Sequence, residues 1–364
     1  MTTTTVQEKT IREIRVNPVV PSESVLVATA RSMRPKKEEA PAPRDARAHV
    51  DACPFCRGNE AMTPPAIAAI PSSDDWDIRI VENLYPVLGD DRANTNLAFG
   101  LQQIIDGYGR HEVIIDHSNH GIRLHEMSEE HLSLLFSTYR TPMGQLYRSN
   151  DRLKYALCFK NYGPAAGASI AHTHSQIIAM PVVPDNVQAE VQSSREYFRK
   201  AHQCIFCSMI DEAITFETTI YDRDSGEIRR RINAGQFVIE RGSRFVAVKP
   251  FASRFEWEVY ILPLGHRSDF TACSGEDFDD LARVVKRTMT RLDAVLGGVQ
   301  YNYFLHSLPR GPEYADSHAS YHWHIEICPR TSIPTGFELG SGLFVNTVSP
   351  EEAAEKLRGV ALPE

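Results

Sequence analysis

Apolar side chains recur along the chain with two different spacings. In residues 127–149 and 274–298 they lie three and four positions apart, which predicts two amphipathic helices. Ser128 and Ser274 stand near the beginnings of these segments and are suitable N-caps. Residues 184–201 are more polar and predict a helix that joins two halves of the chain. Elsewhere, short apolar runs bounded by Gly, Pro and Asn predict strands.

The order of these features occurs twice along the chain, which indicates an internal repeat. Each copy contains a Cys-x-x-Cys pair, a strand that ends in histidine, an amphipathic helix, a further strand and a His-x-His run. The marker positions are Cys53, Cys56, His117, His172 and His174 in the first copy and Cys204, Cys207, His266, His322 and His324 in the second. We therefore predict an α+β fold with two tandem copies of a mostly antiparallel sheet flanked by helices. The predicted domains are residues 1–190 and 191–364.

The overall composition is that of a globular protein without an excess of positive charge. The chain has 364 residues, of which 42% are apolar, so it is long enough for two domains with substantial cores. Its net charge of −8 argues against nucleic acid or a membrane surface as partner, because both favour Lys and Arg. The chain has no run of 18 apolar residues and no signal-peptide pattern, so we predict a cytoplasmic protein.

Four of the seven cysteines form the two Cys-x-x-Cys pairs. In a chain without an export signal, metal binding explains such pairs better than disulfides do. The other three, Cys158, Cys273 and Cys328, lie in or beside apolar stretches, where buried structural thiols are expected.

The first pair, Cys53 and Cys56, needs two further ligands to complete a tetrahedral zinc site. His172 supplies one of them. For the other we prefer His117, at the end of its strand, over His120. The remaining candidates for this position are His111, His125 and His131. By comparison of the two copies, the second zinc site is predicted to consist of Cys204, Cys207, His266 and His322.

Residues 161–181 combine a Gly-rich turn with an apolar strand that carries His172, His174 and Gln176. Side chains alternate between the faces of a strand, so these three are predicted to project from one side. A neutral imidazole can attack phosphorus and hold a nucleotidyl group covalently. The Gln176 amide can bind a phosphoryl oxygen but is a poor base, which favours transfer over hydrolysis. The second copy has Glu326 instead, so only the first copy is predicted to keep the nucleophile.

Residues near this run are suited to phosphate binding. Gly167 and Ser169 offer backbone N–H groups and a hydroxyl, because small residues allow the backbone to come close. Arg31 and Arg34 follow an early strand, and a guanidinium group matches phosphate geometry. Two solvated arginines would produce the same pattern.

The chain resembles the galactose-1-phosphate uridylyltransferase family, the transferase branch of the histidine-triad superfamily, over nearly its whole length. The resemblance is carried by CPFC at 53–56, NLYP at 83–86, DHS at 116–118, GASIAHTHSQ at 167–176, the His-x-His at 322–324 and GFELGSGLFVNTVSPEEAAEKLR at 336–358. It implies a HIT-like fold and a two-step nucleotidyl transfer. His174 would attack the α-phosphorus of a nucleotide sugar, expel a sugar 1-phosphate and pass the nucleoside monophosphate to a second phosphate-containing acceptor.

The resemblance also implies roles for particular residues. Gln176, Gly167, Ser169 and Asn161 would surround the phosphates, and Asn83 would lie beside the nucleoside. It further implies structural zinc ions and a homodimer in which the C-terminal segment of one subunit completes the site of the other. Residues 331–336 lack the lysine that well-studied uridylyltransferases have there. The segment with Phe337 and Glu338 is more similar to relatives that use inorganic phosphate, such as plant ADP-glucose phosphorylase.

Two functions follow from this resemblance, and others compete with them. The first is transfer from a nucleotide sugar to a hexose 1-phosphate, as with UDP-glucose and galactose 1-phosphate. The second is a nucleotide-sugar phosphorylase with inorganic phosphate as acceptor. A zinc-knuckle binding module is disfavoured, because its ligands would be close in sequence whereas these are spread over more than 100 residues. A hydrolase or an inactive family member is the last alternative.

Overall fold

A computed structural model describes residues 10–33, 44–91 and 95–362 of the chain. The strands are β1 (Arg12–Arg15), β2 (Val25–Ala28), β3 (Ala66–Ile70), β4 (Ile78–Glu82), β5 (Asn96–Phe99), β6 (Gln102–Ile105), β7 (Arg110–Ile115), β8 (Tyr155–Tyr162), β9 (His174–Met180), β10 (Thr218–Tyr221), β11 (Ile228–Ile232), β12 (Val238–Arg241), β13 (Phe245–Val248), β14 (Val259–Pro263), β15 (Tyr301–His306), β16 (His324–Pro329) and β17 (Phe344–Asn346). The α-helices are α1 (Glu129–Ser149), α2 (Asp185–Ala201), α3 (Ile205–Thr215), α4 (Gly275–Leu296), α5 (Gly336–Ser341) and α6 (Pro350–Arg358).

A ten-stranded antiparallel sheet dominates the fold, with the order β12-β13-β14-β16-β15-β8-β9-β7-β4-β3. Each half of the chain contributes five strands in the same arrangement. The halves meet where β8 pairs with β15, with Tyr162 opposite Tyr301 and Cys158 opposite Leu305. The predicted α+β fold with two repeated antiparallel units is therefore confirmed. The two copies join edge to edge in one continuous sheet.

Helices α1 and α4 pack together and cover one face of this sheet. The predicted N-caps are present: the Ser128 hydroxyl accepts from the backbone N–H of His131, and that of Ser274 accepts from the N–H of Asp277. Apolar residues of both halves form one core around the two helices. The predicted boundary near residue 190 lies within α2, and the division into two domains stays a prediction.

A smaller sheet joins the two ends of the described chain. Strand β17 pairs in parallel with β2, which pairs with β1. Buried Arg15 supports this junction, because its guanidinium group donates to the Glu351 carboxylate and lies over the Phe251 ring, 4.4 Å from its centroid. The segment that contains Glu338 is thereby held near the N-terminal strands.

Cys158, Cys273 and Cys328 are buried free thiols, as predicted. None of the helices formed by the described residues is both long enough and apolar enough to span a lipid bilayer.

Candidate active site and metal centres

Strand β9 places His174 and Gln176 on the sheet face opposite α1 and α4. Its alternate residues Ile177 and Ala179 belong to the core, so the side chains between them point the other way. His172 lies at a bend before β9 rather than within the strand. The residues paired with Gln176 across neighbouring strands form one row over the sheet: Val113, Gln176, Phe159, Phe304 and Glu326.

The His174 ring has a defined tautomer. Its Nδ1 lies 2.8 Å from the carbonyl oxygen of His172, and a carbonyl can only accept, so Nδ1 carries the hydrogen. The lone pair is therefore on Nε2. Burial lowers the pKa of this imidazole, so the neutral form predominates at neutral pH. A neutral ring with a free Nε2 lone pair is the form that can act as a nucleophile.

A buried ion pair lies on the core side of strand β9, and the sequence did not reveal it. Lys160 and Asp116 have fully buried side chains and form a short salt bridge. The Lys160 ammonium also donates to the Thr173 hydroxyl at 2.6 Å and to the backbone carbonyl of His174 at 3.1 Å. Asp116 accepts from the hydroxyl of Ser175 at 3.0 Å. These contacts hold the backbone on both sides of His174 in place.

Gln176 has a partner that was predicted only as a possible metal ligand. The Gln176 Oε1 atom lies 2.8 Å from Nε2 of His111 on the neighbouring strand β7. The same ring nitrogen lies 3.1 Å from Nδ2 of Asn83. The structure thus brings Asn83, predicted to lie beside the nucleoside, close to Gln176.

The loop predicted to bind phosphate contains two glycines with positive φ. Gly163 and Gly167 have φ values of 85° and 82°, in the region that favours glycine. Asn302 donates both to Asn161 Oδ1 at 2.8 Å and to the carbonyl of Ala166 at 2.9 Å, which ties the loop to β8 and β15. Gly167 and Ser169 remain exposed, so their polar groups are accessible to a ligand.

Three other predicted substrate residues, Arg31, Phe337 and Glu338, lie near the junction of the chain ends. Burial raises the pKa of Glu338, but hydrogen bonds from Thr335 and the charge of Arg31 outweigh it and lower the pKa overall. Phe337 is 50% exposed. Among the described residues, no hydrogen bond or ion pair connects Arg31 or Glu338 to His174. Arg34 lies outside the described residues.

The first metal-binding group consists of Cys53, Cys56, His120 and His172, whose ligand atoms lie within 4.8 Å of one another. The Nδ1 atom of His172 lies 3.7 Å and 3.5 Å from the Cys53 and Cys56 sulfurs, and Nδ1 of His120 lies 3.5 Å from Cys56 Sγ. Zinc–sulfur and zinc–nitrogen bonds in a tetrahedron separate the ligand atoms by about 3.5 Å. Two thiols and two imidazoles at these distances fit a zinc ion.

The choice of His117 over His120 is therefore corrected. The His117 ring lies against that of His131 with centroids 4.3 Å apart and a 38° angle between the ring planes, and its Nδ1 accepts from the backbone N–H of Asn119. His120 instead directs Nδ1 to Cys56, while its Nε2 lies 3.4 Å from the Asp45 carboxylate. The turn after β7 places His120, rather than His117, next to the cysteines. The backbone carbonyl of His117 still contributes, since it accepts from His172 Nε2 at 2.7 Å.

The second group contains the four residues predicted from the repeat, Cys204, Cys207, His266 and His322. Nδ1 of His266 and His322 lies 3.4 Å and 3.6 Å from Cys207 Sγ. The Nε2 atoms of these rings donate to the backbone carbonyls of His318 and Pro263. Such outer hydrogen bonds leave Nδ1 free for a metal, so this group fits zinc as well.

The second copy has a closed counterpart of the His174 site. His324 and Glu326 lie with Glu190 and His306 in a buried group whose potential ligand atoms are within 4.8 Å of one another. Glu326 forms a short salt bridge with Arg254. Burial raises the pKa of Glu326, but Arg254 and the neighbouring histidines outweigh it and lower the pKa overall. His324 is thus enclosed by buried charged and polar side chains, which agrees with the prediction that only the first copy keeps the nucleophile.

Comparisons with known proteins agree over nearly the whole chain. Residues 1–184 match the family model of the galactose-1-phosphate uridyl transferase N-terminal domain. The chain is 31% identical to ADP-glucose phosphorylase from Arabidopsis thaliana, covering 96% of this chain and 93% of the relative. It is 26% identical to galactose-1-phosphate uridylyltransferase from Thermotoga maritima, covering 95% of this chain and 98% of the relative.

Solved structures show the same similarity. The crystal structure of an ADP-glucose phosphorylase from Arabidopsis thaliana with bound ADP-glucose has a TM-score of 0.79 at 29% identity and covers 97% of this chain and 100% of that chain. A uridylyltransferase structure has a TM-score of 0.69 at 26% identity and covers 95% of this chain and 97% of that chain.

Proposed function

Because the chain belongs to the galactose-1-phosphate uridylyltransferase family of transferases, we propose that it transfers a nucleoside monophosphate from a nucleotide sugar to a phosphate-bearing acceptor through a covalent adduct on His174. The observation that carries this proposal is the His174 ring itself. Its Nδ1–H is bound to the carbonyl of His172, so Nε2 presents its lone pair on the face that also carries Gln176.

The first step forms a phosphorus–nitrogen bond. The Nε2 lone pair attacks the α-phosphorus, the bond to the bridging oxygen breaks, and the sugar 1-phosphate leaves with that electron pair. Nδ1 keeps its hydrogen bond to His172 as positive charge develops on the ring. Gln176 donates its amide to a non-bridging oxygen, and the backbone at Gly167 and Ser169 approaches the phosphates.

The second step reverses the first with another acceptor. A phosphate oxygen of the acceptor attacks the same phosphorus, the phosphorus–nitrogen bond breaks, and its electron pair returns to Nε2. Splitting the transfer in this way lets one imidazole serve both displacements. Gln176 cannot take a proton from water as a histidine could, so transfer is favoured over hydrolysis.

The acceptor we propose is a hexose 1-phosphate, as for the uridylyltransferases of the family. A nucleotide-sugar phosphorylase that uses inorganic phosphate is the second candidate. It is favoured by the 31% identity to the Arabidopsis thaliana ADP-glucose phosphorylase and by the absence of lysine from residues 331–336.

Two measurements test these proposals. The chain is mixed with UDP-, ADP-, GDP- and dTDP-sugars, and intact mass spectrometry shows which one leaves a nucleoside monophosphate on the protein. Loaded protein is then given galactose 1-phosphate, glucose 1-phosphate or inorganic phosphate. Release to a hexose 1-phosphate supports the first candidate, whereas release to inorganic phosphate alone overturns it in favour of the second. If no nucleotide sugar leaves an adduct, the proposal of covalent transfer is wrong.

We further propose that the two Cys₂His₂ groups bind zinc. When bound, an ion with four protein ligands has no open position and stabilises the fold rather than acting in the reaction. In the first group it would connect the 53–56 turn to His172, two residues before the nucleophile. Metal analysis of the purified protein tests this proposal.

The proposal includes a cytoplasmic homodimer. Phe337 and Leu339 of the C-terminal segment are exposed, and this segment has no described contact with His174. A second subunit could therefore supply it to the site. The free thiols of the chain are typical of a reducing compartment. Mixing an inactive His174→Gly subunit with a Glu338→Ala subunit tests the arrangement, because only a shared site would regain activity in the mixed dimer.

A further inference from the structure

His111 has a position that neither metal group explains. The residue is 7% exposed on β7, beside β9, and belongs to neither Cys₂His₂ group. Its Nε2 lies 2.8 Å from Gln176 Oε1, and its Nδ1 lies 3.3 Å from the backbone nitrogen of Val87. The ring thus connects the loop after β4 to the residue assigned to the phosphoryl group.

These neighbours determine the tautomer of His111. A backbone N–H can only donate, so Nδ1 must be the acceptor towards Val87. In the neutral ring Nε2 then carries the hydrogen and donates to Gln176 Oε1. Asn83 Nδ2 also lies 3.1 Å from Nε2. The Nε2–H tautomer satisfies two of these three contacts, whereas the Nδ1–H tautomer satisfies only the contact with Asn83.

The loop supports this tautomer independently. Asn83 Oδ1 accepts from the backbone N–H of Tyr85 at 2.8 Å, and the N–H of Asn83 donates to the carbonyl of His111. These bonds shape the turn that directs the N–H of Val87 to Nδ1. Burial also lowers the pKa of His111, which favours the neutral ring, while its bond to Gln176 opposes this shift.

The tautomer of His111 in turn decides how the Gln176 amide is oriented. An amide can present either its carbonyl or its NH₂ group in a given direction. Because His111 donates to Oε1, the NH₂ group is left for the ligand. The opposite orientation would place a carbonyl oxygen against an anionic phosphoryl group, where it repels.

We propose that His111 is a positioning residue that holds the Gln176 amide with its NH₂ group towards the transferred phosphoryl group, an inference that rests on the proposed covalent transfer. It does not touch the reacting atoms itself. We expect its effect on the rate to depend on Gln176, which distinguishes it from a residue that merely supports the fold.

A double-mutant cycle tests this coupling. The variants are His111→Phe, Gln176→Ala and the combination, and the readout is the single-turnover rate of adduct formation. In the otherwise unchanged chain His111→Phe is expected to slow the step roughly 10-fold to 100-fold, because the Gln176 amide is then no longer held in place for its hydrogen bond to the charged phosphoryl group. In the Gln176→Ala background it should add less than about 2-fold. Equal losses in both backgrounds would overturn the inference.

A conservative variant and a spectroscopic measurement complete the test. His111→Gln can still donate to Gln176 Oε1 and should recover part of the rate, and failure of this rescue counts against the inference. Nitrogen-15 NMR of the histidine-labelled protein should show the hydrogen of His111 on Nε2; a hydrogen on Nδ1 would contradict the proposal even if His111→Phe fails to fold. Absence of an adduct on the unaltered protein would instead refute the proposed function.

Discussion

The ammonium group of Lys160 donates to the backbone carbonyl of His174 at 3.1 Å, from the face of the sheet opposite the His174 ring. The same ammonium group forms a salt bridge with Asp116, and both side chains are fully buried. The backbone at His174, the proposed nucleophile, is thus held by a fully buried charged pair. Breaking such a pair costs more than the pair itself contributes, because the remaining charge is left uncompensated.

Replacement of Lys160 should therefore destabilise the protein strongly. We expect Lys160→Met to lower the free energy of unfolding by about 3 to 5 kcal/mol, because it leaves the Asp116 carboxylate buried without its cation. Denaturant titration followed by circular dichroism measures this loss. The double variant Lys160→Met, Asp116→Asn should recover part of the stability. A single variant as stable as the parent would show that the pair is not needed.

The nucleophile assignment is tested with His174→Gly. This variant should form no nucleotide adduct with any nucleotide sugar, because it lacks the only nitrogen assigned to attack phosphorus. Circular dichroism and zinc content should stay close to those of the parent, since Cys53, Cys56, His120 and His172 are unchanged. Unaltered turnover in this variant would refute the assignment.

Two matched variants test which histidine is the fourth ligand of the first metal group. His120→Ala should reduce the bound zinc from about two ions to about one per chain, because it removes one of the four ligand atoms of one group. His117→Ala should retain both ions, because its ring faces His131. Mass spectrometric metal analysis of the purified variants gives the counts. Loss of zinc from His117→Ala with retention in His120→Ala would restore the choice made from the sequence.

Lys249 gives the stability of the protein a specific pH dependence. Burial lowers the pKa of this lysine to about 7, and its ammonium group donates to the backbone carbonyls of Glu258 and Phe255. Above pH 7 the folded chain releases a proton that the unfolded chain holds up to about pH 10. The contribution of Lys249 to the free energy of unfolding therefore rises as the pH increases above 7 and is lost as the pH falls towards 7.

Comparison with Lys249→Met isolates this contribution. Between pH 7 and pH 9, the free energy of unfolding of the parent should rise relative to that of Lys249→Met by an amount on the order of 2 kcal/mol. Denaturant titrations of both proteins at the two pH values measure the difference. A stability difference that does not change between pH 7 and pH 9 would show that Lys249 stays charged in the folded protein.

Local features of the fold and site could be predicted from the sequence. Ser128 and Ser274 act on the first turn of their own helices, and helical spacing of apolar residues needs no distant partner. The repeat then allowed Cys204, Cys207, His266 and His322 to be grouped from their order alone. Each of these inferences depends on neighbouring residues or on a comparison within the chain.

Contacts between distant segments could not be predicted in this way. The Cys56–His120 contact joins residues 64 positions apart, and the sequence offered five histidines between positions 111 and 131 for this place. The Lys160–Asp116 pair likewise connects β8 to the residue after β7, and the His111–Gln176 bond connects β7 to β9. Nothing in the local pattern around Lys160 or His111 distinguishes them from ordinary strand residues.

The sequence by itself determined that the chain is a duplicated α+β protein, that His174 and Gln176 share a strand, and seven of the eight positions in the two candidate metal groups. The tertiary structure decided that the two copies share one sheet, that His120 reaches the cysteines in place of His117, and that His111 meets Gln176. The reason is that spacing along a chain controls the direction of side chains within one element. Which side chains meet between elements depends on the path of the backbone through the whole fold.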